Sequence, residues 1–124
     1  MNATLHPCIN LSYMDLMADG DDLIKKVMLE MLLEELPTEF EKILQAAQKQ
    51  DFDLLRRTSH KMKTTLSFVG NQALSEANTT IERIARYHTN LEALPDLIST
   101  IEHLYPTVVE ALRQELEEMI QPIN

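Results

Sequence analysis

Apolar side chains recur along most of this 124-residue chain at intervals of three and four, the spacing of one face of an α-helix. The first twenty residues contain a short helical candidate, "LSYMDLMADG", closed by Gly20. Asp21 or Asp22 can cap a second helix whose apolar positions include Leu23, Val27, Met31 and Phe40. Pro37 cannot donate the helical hydrogen bond, so that helix is expected to kink there and continue to about Lys49. The segment "KQD" makes a tight connection, and Asp51 or Asp53 caps the next helix. Its core stripe is Leu55, Met62, Leu66 and Val69, with Gly70 as the C-terminal stop. Leu74, Ala77, Ile81 and Ile84 form the stripe of a helix ending near Tyr87. After "HTN", a last helix runs from Pro95 through Leu97, Ile101, Leu104, Val108, Leu112 and Leu116 to about Met119, kinked at Pro106.

Long helices with short connections pack most simply as an antiparallel bundle. The expected fold is all-α, an antiparallel four-helix bundle with a short extra N-terminal helix. Composition agrees: two glycines, no tryptophan and many strong helix formers. No Gly-, Pro- or Ser-rich linker divides the chain, so one domain over 1–124 is expected, with 1–9 and 120–124 loosely ordered.

Charge narrows the partners. Acidic residues outnumber basic ones 20 to 11, a formal net charge of −9 that repels duplex nucleic acid and anionic membrane surfaces. No Lys or Arg precedes Lys25, and the most apolar stretch, "LIKKVMLEMLLEEL", is interrupted by charge. Neither a secretory signal nor membrane insertion is expected, and the expected setting is cytoplasmic. The single Cys8 excludes an internal disulfide and a cysteine cluster. Carboxylate-bridged metal bundles use Glu-x-x-His, but Ala3, Arg57, Ala85 and Thr100 stand three before the four histidines, so no metal site is expected.

Within "SHKMKTTLSFVG", His60 lies roughly 150° from the centre of the Leu55–Met62–Leu66–Val69 stripe, with Arg56, Lys63 and Ser67 on its side of the helix. Arg57 and Lys61 flank it, so cations gather around one imidazole in an acidic chain. Lys63 is close enough on a helix to reach an anion carried by the ring, and Thr64 could add a hydroxyl donor. The plain alternative is a solvated basic face pairing with nearby acids. His88 and His103 read as a helix-end and a surface residue, and Glu115, Glu117 and Glu118 as a solvated face.

The run "SHKMKTTLSFVGNQAL" resembles the signature of the histidine-containing phosphotransfer (HPt) domain, matched here by His60, Lys63, Gly70 and Leu74. "LPTEFEKILQAAQKQDFDLLRRTSHKMK" is similar to the family's preceding helix and turn, and "TTIERIA" to the helix that follows, so the resemblance covers about residues 10 to 118. It implies that His60 is the phosphoryl acceptor and donor, through Nε2, with Lys63, Thr64, Arg56, Arg57, Ser67 and Gly70 stabilising the phosphoryl group or docking a partner. It also implies response-regulator receiver domains and a hybrid sensor histidine kinase as partners, with Mg²⁺ supplied by the receiver and no cofactor held by this chain. The chain is then a phosphotransfer protein, expected to be monomeric, and not an enzyme with its own ATP site; no Gly-rich nucleotide loop is present. Thr64 departs from the pattern, since many relatives carry glycine there, and its β-branched side chain stands on a partner's approach. The competing reading is a non-phosphorylated helical module that binds receiver or kinase domains through an apolar surface. The Met-rich "VMLEMLL" could serve such a surface, although core is the expected place for it.

Overall fold

The computed structural model describes residues 7–120, which form five α-helices and no strand among the described residues. They are α1 (Ser12–Ala18), α2 (Asp22–Gln48), α3 (Phe52–Ser67), α4 (Gln72–Tyr87) and α5 (Leu94–Ile120), the last preceded by a single 3₁₀ turn over Leu91–Ala93. Local chemistry sets their ends. Asp19 and Gly20 take left-handed φ values of 54° and 78° to stop α1. The Asp21 carboxylate then accepts from the backbone N–H groups of Leu23 and Ile24, at 2.9 and 3.2 Å. Asp51 caps α3 by accepting from Leu54 N–H, and Asn71 caps α4 by accepting from Leu74 N–H. α2 runs on through Pro37 and α5 through Pro106. Beside Pro37 the Thr38 hydroxyl donates to the Glu34 carbonyl, 3.2 Å away.

The four long helices pack in chain order, each on the next, and α5 closes the ring against α2. Cross-helix contacts run antiparallel: Thr65 and Lys61 of α3 meet Glu35 and Glu39 of α2, and Ser59 and Phe52 of α3 meet Asn78 of α4 and His88 at its end. The core contains Phe40, Ile43, Leu55, Met62, Leu66, Leu74, Ile81, Ile101 and Leu112, with Phe40 lying against Tyr105 at 4.8 Å between ring centroids. The stripes expected on α3, α4 and α5 therefore do face inward. Among the described residues no helix is long and apolar enough to cross a membrane.

α2 departs from the expected pattern. Leu23, Val27 and Met31 are 68, 45 and 53% exposed, and the buried face is Leu29, Leu32, Leu36, Phe40 and Ile43. This helix carries two apolar arcs about 180° apart, and only one can face the other three helices. Met31 accordingly lies at the surface rather than in the core, whereas Met28 is half-buried and packs against the core. Residues 1–6 and 121–124, expected to be loose, lie outside the described residues. Ile9, also expected to be loose, is instead buried, because Asn10 N–H donates to the Val69 carbonyl and Asn71 Nδ2 donates to the Cys8 carbonyl.

Gly70 is the pivot of this attachment. Its φ is +75°, and a Cβ there would collide with the Asn10 carbonyl oxygen. Gly70→Ala is expected to cost about 1–3 kcal/mol through the strained backbone alone, measurable by urea melts. A variant as stable as wild type would show that neither the left-handed backbone nor the Asn10 contact resists a side chain at position 70.

Candidate functional site

His60 projects from the middle of α3, on the side that meets α4, and its side chain is 64% exposed. Directly across the interface Glu82 of α4 brings Oε2 within 2.9 Å of His60 Nδ1. The carboxylate is almost wholly enclosed, 4% exposed, yet it is fully paired: Lys63 bonds Oε1, and Arg86 donates to Oε2 at 2.7 Å. Burying an anion is tolerable only with such partners. Burial by itself pushes the Glu82 carboxyl up, but hydrogen bonds from Lys63, Arg86 and His60 more than offset it and hold the group at about 2.

An ionised carboxylate only accepts hydrogen bonds, so Nδ1 is the protonated nitrogen of neutral His60 and donates to Glu82. The lone pair is then on Nε2. One orientation and one tautomer are held by a buried anion, and the nitrogen left over is the nucleophilic one.

The depressed Glu82 carboxyl is also a statement about stability. Its folded-state value lies below the ordinary 4.5, so its contribution is present above pH 4.5 and is lost as pH falls towards 2. With Lys63 and Arg86 nearly half exposed and screened by solvent, the contribution is on the order of 1–3 kcal/mol. Denaturant melts between pH 7 and pH 3 should show wild type losing stability over this window and Glu82→Gln following a flatter curve. Parallel curves would assign the acid sensitivity to other carboxylates.

The remaining residues that the sequence placed around His60 divide. Lys63 is at the site, but its ammonium engages Glu82, so it reaches the ring's surroundings through that carboxylate. Arg56 and Arg57 both bind Asp53, at 3.2 and 3.1 Å, one turn back towards the start of α3. The Ser67 hydroxyl donates to the Thr64 carbonyl of its own helix, so its proton is already committed. Gly70 serves the backbone at the far end of α3, as described above. Thr64 is exposed and shares with His60 a groove of about 460 Å³. The apolar lining of that groove comes from Met28, Met31, Leu32 and Phe68, and its charged lining from Glu35 and Lys61. His88 ends α4 in a left-handed conformation and packs on Phe52, and His103 bonds the Ser99 carbonyl. Among the described residues no three His, Cys, Asp or Glu side chains gather as a metal-ligand set.

Sequence reasoning missed Glu82 and Arg86. The available signal was Glu82 lying about 120° from the centre of the α4 core stripe, on the flank shared with buried Asn78. A carboxylate on such a flank needs partners, but the sequence does not say which helix supplies them.

The Hpt domain family model matches residues 27–122, a span that contains His60, Lys63, Thr64, Glu82 and Arg86. The fold is similar to the crystal structure of histidine-containing phosphotransfer protein B (HptB) from Pseudomonas aeruginosa PAO1, with a TM-score of 0.78 and 22% sequence identity. That alignment covers 90% of this chain and 96% of the other. At this identity the likeness speaks for the fold. No curated protein matches the sequence significantly.

Proposed function

The chain belongs to the Hpt domain family, and on that premise we propose that His60 takes a phosphoryl group from the aspartate of one receiver domain and passes it to another. The observation that carries this reading is the exposed imidazole whose Nδ1–H is bound to buried Glu82, which leaves the Nε2 lone pair as the nucleophile. In acceptance, Nε2 attacks phosphorus, the bond from phosphorus to the aspartyl oxygen breaks, and its electron pair stays on the aspartate. Donation is the reverse. Neither direction requires a nucleotide site in this chain. Mg²⁺, which spreads the charge of the phosphoryl group in transit, would come with the receiver.

The groove beside His60 suits an apolar element of the docking receiver, and the exposed Leu23, Val27 and Met31 extend the apolar surface along α2. Thr64 sits at this groove, so its methyl group meets whatever docks there. A hybrid sensor kinase upstream, a response regulator downstream, a monomeric state and a cytoplasmic setting complete the proposal. The same exposed apolar surface is what favours the second reading, a module that binds receiver or kinase domains without being phosphorylated.

Incubation with a panel of phosphorylated receiver domains and Mg²⁺ separates the two. The carrier reading expects an acid-labile, alkali-stable label on this chain, and none from ATP alone. Binding without label across the panel would leave only the module.

A further inference from the structure

Phosphorylation at Nε2 raises a question that the resting site does not answer, namely where the ring proton sits once the nitrogen–phosphorus bond has formed. Resting on the carrier reading above, we propose that Glu82 keeps Nδ1 protonated in phospho-His60, so that the phosphoryl group enters and leaves with no net proton transfer at the ring. Glu82 is thus a positioning residue for both directions of the relay.

Retention of the proton changes the leaving group. If phospho-His60 loses its Nδ1 proton, breaking the nitrogen–phosphorus bond expels an imidazolate, a strong base, and onward transfer must wait for a proton. If Nδ1–H is retained, the expelled group is neutral imidazole, the same tautomer that made the attack. On acceptance the Nε2 pair becomes the nitrogen–phosphorus bond while the aspartyl oxygen–phosphorus pair returns to the aspartate. On donation the nitrogen–phosphorus pair returns to Nε2. In both steps the Nδ1 proton stays between the ring and Glu82.

The geometry favours retention. Glu82 Oε2 is already 2.9 Å from Nδ1, on a side chain that is only 4% exposed. It is also anchored from two sides, by Lys63 on Oε1 and Arg86 on Oε2, so it does not turn away when the ring acquires charge. The other charges facing the ring are largely matched. On α3, Arg56 and Arg57 are bound to Asp53, and Lys61 approaches Glu39 of α2 at 3.5 Å. Glu35 of α2 lines the groove as well, where it accepts from the Thr65 hydroxyl. A protonated, phosphorylated ring in contact with Glu82 is an ion pair in a partly desolvated site, where the attraction is stronger than in water.

The test uses the full chain with ¹⁵N-labelled histidine, phosphorylated with phosphoramidate so that no partner is needed. The Nδ1 shift of phospho-His60 is followed from pH 6 to pH 9 in wild type, in Glu82→Gln and in wild type unfolded by urea. The urea sample guards against a variant that fails to fold. The protonation midpoint in the folded wild type is expected to exceed both others by at least about one pH unit, a tenfold gain in proton affinity. In wild type, onward transfer to a receiver should hold level to a pH at least about one unit above the point where the Glu82→Gln protein begins to fall. Above its own midpoint the Glu82→Gln protein should lose about tenfold per pH unit. Equal midpoints in folded and unfolded wild type would overturn the inference, as would the same pH dependence of transfer in both proteins. Phospho-His60 with a raised midpoint that no receiver accepts at any pH would instead overturn the carrier reading.

Discussion

His60→Gln is expected to reduce phosphoryl acceptance from a phosphorylated receiver to background, a loss of at least about 10³-fold, as befits removal of a nucleophile. The amide nitrogen of glutamine has its lone pair delocalised into the carbonyl and cannot form a nitrogen–phosphorus bond. Its N–H can still donate to Glu82, so the buried carboxylate keeps a partner. Because the side chain it replaces is 64% exposed, the substitution should alter unfolding stability by no more than about 0.5 kcal/mol. Label transfer and a denaturant melt on the same preparation test both halves of the expectation. Undiminished labelling of His60→Gln would move the phosphoryl site to another residue. A large loss of stability would mean that the imidazole is held more firmly than its exposure indicates.

Met62→Ala and Leu66→Ala, on the opposite face of the same helix, should behave in the reverse way. Both side chains are buried, at 0 and 1% exposure, between α3 and the rest of the bundle. Truncation removes apolar contact and leaves a cavity that close-packed neighbours fill only in part, at a cost of about 2–5 kcal/mol each. That is a large share of the about 5–15 kcal/mol by which a domain of this kind is stable. Urea midpoints should fall with little change in slope, and each folded molecule should still accept phosphate, since neither side chain touches the imidazole. A cost below about 0.5 kcal/mol for either would place that residue outside the core, contrary to the packing described.

The helices, their ends and the face on which His60 stands were determined by the sequence, because these depend on interactions within one or two turns. Asp21 and Asp51 cap by reaching backbone two or three residues on, and Gly20 takes the φ that stops α1. The rise of 100° per residue is enough to put His60 opposite Met62 and Leu66 without knowing what either meets. The pairing of Arg56 and Arg57 with Asp53 was equally local, at spacings of three and four, and is a contact that the sequence already allowed.

Tertiary structure decided the rest. α2 is apolar on two arcs, and no pattern within it tells which one the bundle covers; the choice of Leu29, Leu32, Leu36 and Phe40 came from where α3 and α5 lie. Gly70 could be read as a helix stop, yet the residue that forbids a side chain there is Asn10, far away in the chain. Above all, the 2.9 Å contact between His60 and Glu82 joins residues 22 apart and exists only because α3 and α4 pack antiparallel in one register. A shift of that register by one turn would leave His60 as an ordinary surface imidazole and Glu82 with Arg86 of its own helix in place of three partners. The motif carries the imidazole; the bundle supplies the anion that holds its proton.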